Sequence, residues 1–463
     1  MTHATQKIRE QAIENKGRGR VLTFSTLDFT VAFAVWLMFG VLGIPIRKEF
    51  GLNDVQFGWL TAVAILNGSI WRLLFGILTD RIGGRWVTIM LLLGTAVPTY
   101  LIAYTHSFHE LMIYAFLVGL GGNLFSVGIA WNSAWFPKQS QGFALGVFGA
   151  GNVGASITKF IGPVLIAIVP AAGLWGGRLP GGWRFVPVLY SVLLVLLAVL
   201  TWACTPSHDH KPGHGRSFFE MLRPLKYIRV WRFSLYYVVV FGAYVALSVW
   251  LPKYYVDVFG LKLQTAALLT ASFIFPASLL RPLGGWLSDR FGARRIMYLV
   301  LGVMTVATFL LSAPNGHIVL YVSSRFAASG AHEVLPFIMP LWGFVSLVFL
   351  VGACMGIGKA AVYKYIPDYF PRDVGAVGGL VGMLGALGGF FLPPIFGYAY
   401  QGSWLPQSTF FVLFLVTLIS FVWFHLTVIQ MLKQATPQLK NDIETRPSEL
   451  QAIKGPRPYK AVP

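Results

Sequence analysis

Residues 141–163 read QGFALGVFGAGNVGASITKFIGP, and this stretch decides the fold. It is too apolar for a surface loop and too rich in glycine for a soluble helix, where each glycine costs about 1 kcal/mol against alanine. In lipid the balance changes, because small residues let helix backbones approach closely. At 100° per residue, Gly142, Gly146, Gly149, Asn152, Ser156, Lys159 and Pro163 share roughly one third of the helix circumference. The stripe turns polar in its middle, and in a membrane helix such a stripe must face protein or a water-filled cavity. A second copy lies at 369–397, YFPRDVGAVGGLVGMLGALGGFFLPPIFG, with Gly375, Gly379, Gly382, Gly385 and Gly389 as its stripe. Two such helices imply an internally duplicated membrane protein with its site between the halves.

The rest of the chain agrees. Of 463 residues 56% are hydrophobic and 11% charged, and apolar segments of about 20 residues recur throughout. Twelve spans are expected, at 25–46, 55–79, 86–105, 110–136, 142–170, 184–204, 233–256, 264–288, 295–313, 337–366, 374–400 and 408–432. The reading is an all-α polytopic membrane protein. Its parts are an N-terminal segment 1–24, a six-helix bundle 25–205, a hydrophilic loop 206–232, a second bundle 233–433 and a tail 434–463, read as disordered. The net charge of +19 does not point to nucleic acid. Most of the basic residues fall in the tails and in the loops on the same side as the N-terminus, which places both termini in the cytoplasm. Cys204 and Cys354 offer neither a metal site nor a disulfide framework. His208, His210 and His214 lie in a Pro/Gly-bearing linker and are read as solvated. The first 24 residues lack a short apolar core, so no cleaved signal peptide is expected. Residues 315–337 are expected outside the membrane, with a short interfacial helix.

Charges within the spans carry the functional argument. Arg72 lies eight residues before Asp80, roughly 12 Å into the membrane at 1.5 Å per residue. A mid-depth charge is expensive and marks a site by default. A structural ion pair is the alternative, but no acid is expected in the middle of any span. Residues 281–295, RPLGGWLSDRFGARR, repeat the Arg72 unit 209 positions later, so Arg281 matches Arg72 and Asp289-Arg290 matches Asp80-Arg81. Two arginines without an intramembrane acid leave a negative partner to be supplied by substrate, and guanidinium forks suit bidentate oxyanion contacts. Phe125 lies near mid-depth, Tyr237 and Phe241 share a helix face, and Lys359 is the pseudo-symmetric partner of Phe125. Lys364 and Lys159 are expected to snorkel towards opposite faces. Lys359 is not, and burial beside two like charges makes its ammonium costly in an empty site.

The unit GxLxDRxGxR between spans 2 and 3, and again between spans 8 and 9, resembles the signature loop of the major facilitator superfamily. That resemblance implies two pseudo-symmetric six-helix bundles, with Asp80, Arg81, Asp289 and Arg290 in gating contacts that latch the outward-open state. The paired glycine stretches GFALGVFGAGNVGASITK and GAVGGLVGMLGALGGFFLPP resemble the nitrate-signature motifs of the NarK-type nitrate/nitrite porter family. By that resemblance Arg72 and Arg281 hold nitrate or nitrite, and Phe125, Tyr237 and Phe241 sandwich it. Asn152, Gly149, Gly151, Gly382 and Gly385 complete the substrate site. Lys359 resembles the branch that couples nitrate to protons, so nitrate/proton symport is the expected activity and nitrate/nitrite exchange its rival. A non-transporting oxyanion sensor is the other class, which has no use for a second gate. The protein is expected to be no enzyme, to need no cofactor or metal, and to work as a monomer in the bacterial inner membrane.

Overall fold

A computed structural model describes residues 3–211, 217–322, 330–370 and 374–435. The tail beyond 435, His214, and the side faces of Gly142 and Gly375 lie outside what is described. Eleven described helices are long and apolar enough to cross a membrane, and a bent pair makes twelve. We number them α1 (Gly17–Phe50), α2 (Asp54–Ile82), α3 (Gly84–Ile102), α4 (Phe108–Trp135), α5 (Ala144–Ile168) and α6 (Gly182–Cys204). The second half holds α7 (Ile228–Phe259), α8 (Leu263–Leu279 and Arg281–Phe291, bent by 42°), α9 (Ala293–Leu311), α10 (Leu341–Ile366), α11 (Val377–Ser403) and α12 (Ser408–Met431).

The helix ends follow local chemistry. α1 stops at Gly51, whose φ of 63° is costly for any residue with a Cβ. Asn53 then caps α2, its side chain accepting from the Gln56 amide while Gln56 returns the bond. Gly83 and Gly292, the glycines of the repeated DRxGxR unit, take φ of 98° and 85° and turn the chain into α3 and α9. Large apolar side chains such as Val97, Ile113, Leu299 and Ile419 point outward. In a soluble protein that surface would be anomalous; here it meets lipid.

The two halves meet tightly at the end carrying Gly51 and Asn53. A Cβ on Gly58 of α2 would sit 2.7 Å from the Pro393 carbonyl oxygen of α11, and one on Gly40 of α1 would sit 2.7 Å from Val249 Cα of α7. A charge network crosses the same seam: Arg47 and Lys253 each bind both Asp54 and Asp257, at 2.8–3.1 Å. At this end the bundles are closed on each other.

Four expectations need correction. Residues 316–322 and 330–337 pair as two antiparallel strands, β1 (Gly316–Val322) with β2 (Gly330–Phe337), where an interfacial helix was expected. The β-branched and aromatic run IVLYV prefers extended backbone, and pairing takes up the amides of each strand that face its partner. Lys159 does not snorkel: it is fully buried, with Nζ 3.5 Å from the Leu37 carbonyl. α1 is broken at Leu37–Met38, and a break frees carbonyls that a buried ammonium can use. Asp28 of α1 is also fully buried, so the first half does hold an enclosed acid; Thr201 Oγ1 donates to it at 2.8 Å. Finally, the loop after α6 is not simply solvated. Asp209 accepts from the indoles of Trp131 (2.9 Å) and Trp135 (2.7 Å) and from the Arg85 amide (2.9 Å).

Candidate functional site

Helices around the centre become irregular at the same depth. α2 breaks at Trp71, immediately before Arg72, and α8 bends at Leu280, immediately before Arg281. Both arginines therefore open a half-helix, whose free amides carry partial positive charge. α4 tightens to a 3₁₀ turn over Gly119–Asn123 just ahead of Phe125, and α5 does so over Gly151–Val153 around Asn152. α7 widens to a π turn over Val238–Gly242, between Tyr237 and the second turn of its aromatic face. Such departures concentrate where a helix serves a site.

Arg72 is fully buried. Its Nε donates to Gly68 O at 2.8 Å and Nη1 to Gly382 O at 3.2 Å, while Nη2 has no acceptor. Arg281 Nη1 is likewise buried and unpartnered. The two guanidinium carbons lie 5.1 Å and 5.7 Å from the centroid of one ring, Phe125. Phe125 stacks on Phe241 (6.1 Å, 22°), and Phe241 on Tyr237 (5.1 Å, 16°). Arg72 is also 5.4 Å from the Phe241 centroid. So the three sequence-predicted aromatics form one layered wall beside both arginines. Unpaired buried donors each carry a desolvation cost that an acceptor would relieve.

Asn152 is buried, and neither its amide nitrogen nor its side-chain oxygen has a partner. Its backbone carbonyl accepts from Tyr244 Oη at 3.3 Å, and Tyr244 also bonds Ser278 at 3.0 Å. Lys359 lies on the far side of that tyrosine. Its Nζ sits 3.3 Å from the Tyr244 centroid and donates to Ala277 O at 2.9 Å. That carbonyl belongs to the last turn of the first α8 segment, where helix carbonyls lose their own amides. Phe241 neighbours both cations, its centroid 5.5 Å from Lys359 Nζ and 5.4 Å from the Arg72 guanidinium carbon.

The glycines divide. A Cβ on Gly149 would lie 3.2 Å from Arg281 Nη1, one on Gly382 would lie 2.8 Å from Tyr363 Oη, and Gly385 packs under the Tyr237 ring. These three make room for the site's side chains, where the stripe pattern had them meeting a helix. Gly151 faces Phe29 and Thr30 of α1, away from the arginines. Asp80, Arg81, Asp289 and Arg290 are not brought to the centre. Asp289 pairs with Lys364 at 2.5 Å within the second half, and Arg290 lies over Trp286.

Sequence reading missed Trp36, 5.6 Å from Arg72, and Tyr363, 5.6 Å from Arg281 with Oη on Gly378 O. Tyr363 had a signal: it is four residues from Lys359, on one helix face. So had Tyr244, three residues after Phe241. Trp36 had none, since its approach depends on how α1 packs against α2.

The family model of the Major Facilitator Superfamily matches residues 25–331 and 268–459. A 66% identical relative, the "Probable nitrate/nitrite antiporter NarK1" of Thermus thermophilus, aligns over 96% of this chain and 98% of its own. The "Nitrite extrusion protein" of Bacillus subtilis is 31% identical over 87% of this chain and 92% of its own. Among solved structures, a bacterial homolog of the human lysosomal transporter Spinster superposes with a TM-score of 0.69 at 16% identity, over 90% of this chain and 98% of that one. A nucleoside transporter, NupG, gives 0.63 at 11%, over 88% and 99%. The duplicated signature loops, the arginine pair on a shared aromatic wall and these likenesses agree: the chain belongs to the Major Facilitator Superfamily and, within it, to the NarK-type nitrate/nitrite porters.

Proposed function

We propose that this chain carries nitrate, and nitrite with it, across the bacterial inner membrane by alternating access between two six-helix bundles, 25–205 and 233–433, with both termini in the cytoplasm. One observation carries the substrate assignment: two buried guanidinium nitrogens without acceptors lie against a single aromatic ring, with an unpartnered asparagine amide nearby. A small planar oxyanion can accept from both arginines and stack between rings; a neutral sugar brings no charge to balance them. Asn152 supplies a further donor, and Gly149 and Gly382 leave the arginine and tyrosine side chains room to close on the ion. Asp80, Arg81, Asp289 and Arg290 act at the end carrying Gly83 and Gly292, as gate residues of the opposite state.

For coupling, we favour symport with a proton carried by Lys359. A charged ammonium next to the arginine pair is costly, and an incoming anion reduces that cost, so nitrate and proton each raise the other's affinity by the same factor. Exchange of nitrate for nitrite is the second reading, favoured by the name of the Thermus relative. Proteoliposomes separate the classes. With an imposed inward proton gradient and no internal anion, symport accumulates nitrate, exchange requires internal nitrite, and a sensor binds without flux. Lys359→Met should abolish gradient-driven accumulation while leaving exchange through the arginines. Accumulation equal to the parent's would remove Lys359 from the coupling step.

A further inference from the structure

A second cluster of arginines lies away from the central site. At the end carrying Gly83 and Gly292, a recess opens between the ends of α7, α9, α10 and α12. Arg229 and Arg232 enter it from the start of α7, and Arg294 from the first turn of α9. Arg232 Nη1 donates to Thr427 Oγ1 at 2.9 Å, and Arg229 lies 5.2 Å from the Tyr369 centroid. No described acidic side chain lines the recess.

Pseudo-symmetry sharpens the point. Arg294 matches Arg85 in the repeated loop, and the Arg85 corner holds an acid of its own, Asp209, on the Arg85 amide. The second half presents three arginines there and no described counter-charge.

The remaining walls are apolar. Phe233 stacks on Tyr365 (5.6 Å, 11°), and the Tyr365 hydroxyl is buried without a partner. Beyond the recess, Val422 and Leu426 of α12 and Ile228 of α7 are exposed apolar side chains of the lipid-facing surface. Trp231, half exposed, bonds the Leu225 carbonyl at 2.7 Å, as an aromatic at a membrane boundary does. A soluble anion would use the arginines and ignore the rest. A phosphodiester with acyl chains uses both, since basic pockets between helix ends take anionic headgroups.

We propose that this recess is a binding site for an anionic phospholipid. Its phosphate sits among Arg229, Arg232 and Arg294, and its chains lie along the outer face of α12. A lipid held there fastens the start of α7, the helix that carries Tyr237 and Phe241, to α9 and α12.

The test uses the full-length protein in detergent and native mass spectrometry, titrating phosphatidylglycerol and, in parallel, phosphatidylcholine. The parent should retain phosphatidylglycerol in preference. Arg229→Gln/Arg232→Gln/Arg294→Gln should weaken it by about a hundredfold, at about fivefold per arginine, with phosphatidylcholine binding unchanged. Nitrate binding by the triple variant reports that it is folded. If it does not fold, Arg294→Gln alone, an exposed position, should give the fivefold loss. Three results overturn the proposal. They are equal retention by the variant, displacement of the lipid by millimolar inorganic phosphate (a soluble-anion site), and binding that appears only after truncation at Ala435 (the chain's own tail as occupant).

Discussion

At the scale of single residues, the centre is defined by groups whose hydrogen bonds are incomplete. Arg72 spends two of its donors on helix carbonyls, which fixes the guanidinium plane and leaves Nη2 free. Lysine cannot reproduce that fork. Arg72→Lys should therefore weaken nitrate binding about tenfold to a hundredfold, the range for losing a charged hydrogen bond in a buried site. Calorimetry on purified protein checks this, and an unchanged Kd would exclude the bidentate geometry. Asp28 makes a different case. Asp28→Asn keeps an acceptor for Thr201, whereas Asp28→Leu leaves that hydroxyl unpaired and should lower stability by about 1–3 kcal/mol. Thermal unfolding in detergent distinguishes the two, and equal melting of both would show the bond to be idle.

At the scale of helices, the glycines do two separate jobs. Gly154 of α5 packs against the Thr30 carbonyl of α1, where a methyl group would meet backbone that cannot step aside. Gly149, one turn earlier, faces the mobile end of Arg281. Gly154→Ala should cost roughly 1–3 kcal/mol of stability, as overpacking does, with nitrate affinity retained in the folded fraction. Gly149→Ala should fold normally and bind nitrate several-fold more weakly. Paired melting and binding measurements test this division, and a stability loss at Gly149 as large as at Gly154 would merge the two roles.

At the scale of the whole molecule, the closed end is held by close helix contacts and by a four-charge network across the seam. Asp257 serves both Arg47 and Lys253, so Asp257→Asn weakens two links at once. Partly exposed ion pairs are worth up to about 1 kcal/mol, enough to shift a two-state population about fivefold. Spin labels on Lys48→Cys and Gly402→Cys, with Cys204 and Cys354 replaced, should report a larger long-distance population in the variant. An unchanged distance distribution would show that helix packing alone closes that end.

Periodicity, charge placement and internal repetition determined the spans, the duplication, the arginine pair and the aromatic face of α7, because these depend on spacing along a helix. The DRxGxR glycines were equally legible, since positive φ is a local demand. What α1 contributes was not. Trp36 over Arg72, Asp28 against Thr201 and Lys159 on the Leu37 carbonyl all arise where one helix meets another. Sequence spacing gives the direction of a side chain around its own axis but not which helix stands in front of it. The same holds for Lys359: its depth could be read from the repeat, but only the packing of α7 and α8 around it put Tyr244 beneath the ammonium and Phe241 beside both it and Arg72.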